Sequence, residues 1–353
     1  MKIMSYHGWV GHNNIGDEAI YTACRNMFDE CHLVQSKYID DNSTPELFGG
    51  GTIWPPSRHK KTESLTAGIG VGVIQPKYRN RKYSKIDIGY YLNKMDHGEL
   101  LDKKSVNWLL RPANHLFDSV TIKNHCVRPE DYKILNEFEY VGVRGPLSKQ
   151  ILNRYGIEST ITGDTALILE PDSYESANKK QVAITLRDGG HKWSNSNEYI
   201  KIIENFCHQN SERYQFIFLP LKPSDIPLHI QLTQKVSNSI FIDHCTTPDV
   251  KGVINQYSKC DFVISERLHG NVLSACSYTP FISIEYRPKN KDFSKSLDMK
   301  KFNIKNKNLS VSKIDNLIGE IRSRDIQSDL QIEVDQKRKK IRNFTKPIIK
   351  SFT

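Results

Sequence analysis

Short apolar runs and longer amphipathic stretches take turns along this chain. Residues 2–6 read as a first strand, and 11–18 as a loop rich in turn formers that leads into a helix over 19–28. Residues 47–51 read as a strand end running into three glycines, and 67–74 as a further small, apolar strand. The basic, tyrosine-rich stretch 77–85 reads as a loop. A strand is predicted over 140–143 and a helix over 146–155, with Pro146 in its first turn. Residues 160–164 open another unit. A second set begins near Gln181: strands over 182–186, 216–219, 240–242, 262–264 and 281–284, separated by helices such as 196–207, 249–258 and 271–277. The polar stretch 170–180 between the two sets reads as a linker. This alternation predicts an α/β fold of two Rossmann-like domains facing each other across a cleft. The expected boundaries are 1–172, 181–325, and a basic C-terminal helix or tail over 326–353.

The bulk properties agree with that division. A length of 353 residues suits two domains, and 38% hydrophobic with 25% charged residues suits two ordinary cores. No run is long and apolar enough for a membrane span, and residues 1–9 lack a signal-peptide core, so a cytoplasmic protein is expected. Seven cysteines without a CxxC pair read as free thiols in a reducing compartment, with no structural zinc. The net charge of +10 is uneven: residues 295–353 carry fifteen Lys/Arg against seven Asp/Glu, densest at Lys337–Lys340. A solvated helical surface explains this, as does attraction to an anionic membrane or glycan carrier. Nucleic acid is disfavoured, because the tail lacks aromatic or Arg-Gly interleaving.

The most informative segment is Ser265-Glu266-Arg267-Leu268-His269-Gly270, between a buried strand and a helix. Open α/β sheets bind ligands at such strand-to-helix loops. Arg267 offers a fixed cation, His269 a group that titrates near neutrality, and Gly270 close backbone approach. Arg144, just before Gly145-Pro146, is placed at a sheet edge, either for an interdomain salt bridge or for carboxylate and phosphate recognition. Asp17 and Glu18 stand at a helix start, where capping explains both; Asp17 is also placed to accept a proton from a sugar hydroxyl. Asn14, Gly16, Gly50, Gly51, Asp164, Glu266, Tyr286 and Lys289 complete the candidate cleft lining. Gly49–Gly51 serve equally well as a structural turn, and Asp164 as a cap. Asp243 and His244 read as a generic edge loop.

Taken together, the ordered set Asn14–Ala19, Gly49–Gly51, Val143–Ser148, Thr162–Asp164, Ser265–Gly270 and Tyr286–Lys289 resembles the polysaccharide pyruvyl transferase family. It spans about residues 1–293. The resemblance implies a GT-B-type fold. It also implies transfer of the pyruvyl group of phosphoenolpyruvate onto two hydroxyls of a sugar, forming a cyclic ketal, without nucleotide cofactor or metal. Arg144, Arg267, Leu268 and His269 would contact the donor. The expected partners are phosphoenolpyruvate and a cell-surface glycan or its lipid-linked precursor. Protonated His269 is the expected acid, for the methylene carbon or the departing phosphate, and Asp17 the expected base. The stretch 77–139 lacks a recognisable motif and reads as a specificity insert. Two other readings stand beside this one: a glycosyltransferase of the same architecture using a nucleotide sugar, with Glu285 as a ribose partner, and a non-enzymatic basic protein that binds glycans or membranes.

Overall fold

The computed structural model describes residues 2–41, 43–49, 52–53, 65–73, 135–174, 180–188 and 196–352. The chain divides into two units. One comprises Met1–Ile74 with Glu130–Thr353; the other, Gln75–Pro129, lies outside the described residues, and so does the predicted loop 77–85.

Two parallel sheets form the first unit. The first contains β1 (Lys2–His7), β2 (Cys31–Gln35), β3 (Glu46–Gly49), β4 (Thr52–Ile53), β5 (Thr66–Val73), β6 (Tyr140–Val143) and β7 (Thr160–Ile161). Its order is β2-β1-β3-β5-β6-β7, with β4 also on β5. Helix α1 (Ile15–Met27) follows β1. Its Ile15, Ala19, Ile20, Ala23 and Cys24 are buried as one stripe, the spacing that packs a helix onto a sheet. Helix α2 (Pro146–Asn153) follows β6 and opens with proline, whose missing N–H costs nothing in a first turn.

The second sheet contains β8 (Gln181–Thr185), β9 (Gln215–Phe218), β10 (Ser239–Phe241), β11 (Phe262–Ser265), β12 (Phe281–Glu285) and β13 (Asn303–Lys305). Its order is β10-β9-β8-β11-β12-β13. The helices between are α3 (Ser196–Gln209), α4 (Ile226–Lys235), α5 (Val250–Ser258), α6 (Leu268–Cys276) and α7 (Pro288–Ser296). Phe262 to Ser265 of β11 are all buried, as a strand covered on both faces requires. The expected α/β architecture of two Rossmann-like halves is therefore borne out. The second sheet has the doubly wound order in which the chain reverses between its first and fourth strands, here β8 and β11. In the first sheet the corresponding reversal lies between β1 and β3. Ligand crevices of such sheets open at those points, beyond the carboxyl ends of the strands.

Helices α8 (Val311–Ser323) and α9 (Ile326–Phe352) close the chain. The basic cluster of α9 departs from the solvated face expected of it. Lys339 and Lys340 are exposed, but Lys337 and Arg338 are buried. Arg338 donates from Nε to the carbonyl of Leu167 (2.8 Å) and from Nη2 to those of Leu169 and Cys276 (2.9 Å each). It also bonds the Tyr278 hydroxyl. Five donors in one planar fork suit Arg to join carbonyls of both halves. Lys337 lays its stem against Gly163, where an added Cβ would meet it at 3.3 Å. No described helix is long and apolar enough to cross a membrane.

Candidate functional site

The loops at the two reversal points meet. From the first half comes the N-terminus of α1. Asn14 caps it: its Oδ1 accepts from the N–H of Gly16 (3.3 Å), and its Nδ2 donates to Asp17 (2.5 Å). Ile15 N–H donates across the seam to the carbonyl of Leu221, just beyond β9, at 3.0 Å. Arg144 leaves the end of β6 and donates from Nε to Asp164 Oδ2 at 2.7 Å, with both side chains fully buried. Asp164 also caps the short 3₁₀ turn Thr165–Ile168 by accepting from Ala166 N–H (3.1 Å). The capping role weighed from the sequence is therefore real, and the same carboxylate anchors Arg144. The salt bridge of Arg144 lies within the first half, not between the halves.

From the second half comes the turn between β11 and α6. Arg267 grips Asp225 with two parallel bonds, Nε to Oδ2 at 2.8 Å and Nη2 to Oδ1 at 2.5 Å. Asp225 is fully buried, while the Arg267 side chain keeps 17% exposure. Asp225 also accepts from Asp188 N–H (3.0 Å). Leu268 points into the core, at 2% exposure. Glu266, a candidate lining residue, is instead a buried fastener of this half. It accepts from Arg187 N–H and from the Tyr199 hydroxyl, both at 3.0 Å, and burial raises its pKa. Tyr286 follows β12, and Lys289 stands in the first turn of α7. The Nζ of Lys289 lies 5.3 Å from the Tyr286 ring centroid, and the Arg187 guanidinium 5.2 Å from it. Burial would raise the Tyr286 phenol, yet Lys289, Arg267 and Arg287 together bring it below its ordinary value. Asp292 of α7 ties the halves by accepting from Leu147 N–H (2.7 Å) and the Ser148 hydroxyl (2.5 Å).

His269 stands at the centre. Its ring lies over Gly16 of α1, and its Nε2 is 3.9 Å from Asp164 Oδ2. His269 Nε2 is buried and makes no hydrogen bond with the described residues. Burial pushes the imidazole down to about 4, and the cations Arg144, Lys289 and Arg267 add to this against the pull of Asp164. This shift favours the unprotonated ring at neutral pH, so the protonated His269 that the resemblance implies needs a further negative charge beside it. Asp17 moves the other way: burial raises its carboxyl to about 6, against the pull of Lys289 and Arg144. The two titratable groups shift in opposite directions and exchange their usual order; strongly perturbed groups of this kind cluster at functional sites.

The structure thus gathers Asn14, Gly16, Asp17, Arg144, Asp164, Arg267, His269, Tyr286 and Lys289 along one seam. Gly50 and Gly51 lie outside the described residues. Asp243 and His244 form an edge loop, as expected: Asp243 accepts from the N–H groups of Cys245 and Thr246. No group of three metal-ligating side chains occurs among the described residues. The sequence reading missed Asp225, Arg187, Tyr199 and Asp292. Asp225 alone left a trace, in the Pro-Ser-Asp-Ile-Pro punctuation after β9. Its pairing with a residue 42 positions away left none.

The family model described as Polysaccharide pyruvyl transferase matches residues 119–288. The resemblance read from the sequence is borne out over that span, which holds Arg144, Asp164, Arg267 and His269. It ends before Lys289 and begins after Asp17. No curated protein matches the sequence. Among solved structures, a Staphylococcus aureus TarM mutant in complex with Fondaparinux, alpha-GlcNAc-glycerol and UDP is 14% identical, with a TM-score of 0.43. The match covers 92% of this chain and 55% of that one, so this chain spans about half of TarM. S. aureus MnaA with UDP is 12% identical (95% and 91% covered, TM-score 0.45), and the wall teichoic acid polymerase TagF 11% (99% and 89%, TM-score 0.44). At such low similarity the fold assignment rests on the strand orders themselves.

Proposed function

We propose that this chain is a ketal-forming pyruvyltransferase that moves the pyruvyl group of phosphoenolpyruvate onto two hydroxyls of a sugar in a cell-surface glycan or its lipid-linked precursor. The observation that carries the reading is the packing of His269 from the second half against Gly16, next to Asp17 at the start of α1, with Arg144 and Lys289 acting on both titratable groups and Arg267 on His269. A small trianion needs such a cluster, and addition of the first hydroxyl needs one proton donor and one acceptor.

In this reading the second half holds the donor. Asp225 fixes the plane of Arg267, whose remaining N–H groups face the carboxylate or phosphate, and Lys289 adds a second cation. Bringing a trianion beside the neutral imidazole favours its charged form, so donor binding loads a proton onto Nε2 of His269. That proton passes to the methylene carbon of the enol ether as the first sugar hydroxyl attacks C2. Asp17 takes the hydroxyl proton; a carboxyl near 6 is a well-matched base at neutral pH. Cleavage of the bond between C2 and the phosphate oxygen releases phosphate and leaves an oxocarbenium centre, which the second hydroxyl captures while its proton passes to the departing phosphate. One donor and one diol give one ketal and one phosphate. Neither a nucleotide nor a metal enters this scheme.

The test is incubation with phosphoenolpyruvate and a panel of lipid-linked or synthetic glycosides. The expected result is phosphate release with a product mass gain of about 70 Da, lost in Arg267→Ala. Thermal protection by a nucleoside diphosphate, and none by phosphoenolpyruvate, would favour the nucleotide-sugar glycosyltransferase instead.

A further inference from the structure

We propose that Trp9 is the stacking platform for the sugar ring of the acceptor, a role that rests on the pyruvyltransferase reading. Trp9 is 59% exposed, on the loop between β1 and α1 at the reversal point of the first sheet. An indole held on a fixed loop presents a large, rigid, amphipathic face at little entropic cost to whatever binds there. The loop is held at three points. Gly11 N–H donates to Glu18 Oε1 (2.7 Å), Asn13 Nδ2 to the carbonyl of Thr246 (3.1 Å), and Ile15 N–H to that of Leu221 (3.0 Å). Gly11 and Asn13 adopt the left-handed conformation, with φ of 81° and 53°, which shapes the loop to these contacts.

The surroundings of the indole fit a pyranose. The His12 ring meets it edge-on, centroids 5.2 Å apart, and Lys222 Nζ lies over the indole ring, 5.7 Å from its centroid. Lys222 belongs to the second half and caps the short turn Pro223–Asp225, whose last residue grips Arg267. The platform therefore spans the step from the loop carrying Asp17 to the loop that positions Arg267. A sugar has one face of C–H bonds and a rim of hydroxyls. The indole face away from Lys222, or the near face once the flexible Lys222 stem swings aside, suits the first; the Lys222 ammonium and the His12 imidazole suit the second. Trp9 lies in the β1–α1 connection that runs into Asp17, and the Gly11 to Glu18 bond ties that loop to the first turn of α1, which carries the group assigned to take the hydroxyl proton.

The experiment titrates methyl glycosides of the common hexoses and N-acetylhexosamines into the full chain, the Trp9→Phe variant and the Trp9→Ala variant. Tryptophan fluorescence and saturation-transfer NMR are read, with thermal protection by phosphoenolpyruvate as a separate arm. The expected result is that at least one glycoside perturbs the wild type, that Trp9→Ala weakens its binding about tenfold or more, and that Trp9→Phe restores most of the loss. Melting temperature and phosphoenolpyruvate protection should stay unchanged in both variants. Glycoside binding that is equal in Trp9→Ala and wild type overturns the platform, and so does a panel that leaves the wild type unperturbed. Self-association that depends on Trp9, without any glycoside effect, also overturns it, in favour of a protein contact. Trp9-dependent glycoside binding without phosphoenolpyruvate protection would keep the platform and sink the pyruvyltransferase reading.

Discussion

Gly16 and His269 come from opposite halves of the molecule and occupy one another's space. A Cβ on Gly16 would fall 2.0 Å from Nδ1 of His269 and 2.4 Å from its Cγ. The glycine is needed for this close approach, not for an unusual backbone, since it lies within α1. Helix α1 can therefore dock its first turn directly under the imidazole, which brings Asp17 into the same site.

Gly16→Ala should separate the two groups. The methyl has no room, so the ring or the helix must move. Turnover should fall at least about 100-fold, as a displacement of this size does at a catalytic centre. The stability cost should be only roughly 1–3 kcal/mol. Circular dichroism and thermal melts on the same sample separate the two effects. Near-normal turnover in this variant would show that the His269–Asp17 geometry is not used.

Asp225→Ala leaves the guanidinium of Arg267 without its bidentate partner. Breaking a buried pair in this way costs about 3–5 kcal/mol. Donor protection against heat should be lost along with it. Asp225→Asn keeps the shape and one acceptor oxygen, so it should fold better and still bind phosphoenolpyruvate more weakly. Equal donor protection in Asp225→Asn and the wild type would separate Arg267 from the donor.

The two titrating groups make opposite contributions to stability. Asp17 holds its proton more tightly folded than unfolded, about 6 against 3.8. Its contribution is present below about 4 and is lost as pH rises through about 6. His269 is depressed from 6.5 to about 4. Its contribution is present above about 6.5 and is lost as pH falls towards about 4. Asp17→Asn should therefore melt higher than the wild type near pH 7, with a gain that vanishes near pH 4. His269→Gln should flatten the acid limb of the stability curve.

Donor binding should take up a proton. Calorimetric titration with phosphoenolpyruvate near pH 6.5, in buffers of different ionisation enthalpy, should show uptake approaching one proton. His269→Gln should remove it. Uptake that persists in this variant would place the proton on another group, with Asp17 the first candidate.

Arg338→Met removes a side chain that joins carbonyls of both halves. Three acceptors lose their partner, and the loss should be roughly 3 kcal/mol or more, or about 5–10 °C in melting temperature. Arg338→Lys should rescue little, since one ammonium cannot reproduce the fork. Substituting Lys339 and Lys340, which are exposed, should leave stability unchanged.

The sequence by itself determined the two sets of strands and helices and the loops that end them. Apolar runs such as 262–264 and 281–284 cannot remain in water, and Pro146 marks a helix start through local chemistry; α1 instead begins at Ile15, capped by Asn14, four residues before the helix read over 19–28. Arg267 and His269 were legible for the same reason, since a strand-to-helix turn is a local pattern. The family resemblance located the motifs in order. Tertiary structure alone decided which charges meet. Arg267 pairs with Asp225, Arg144 with Asp164, and Asp292 with the first turn of α2; each pairing closes over a distance that no periodicity encodes. The downward shift of His269 arises there too, because burial and the neighbouring cations exist only once both halves have closed around the ring. The basic tail gives the plainest instance. Composition can count Lys337–Lys340 as four charges, but only packing determines that Arg338 turns inward to bind carbonyls while Lys339 and Lys340 face solvent.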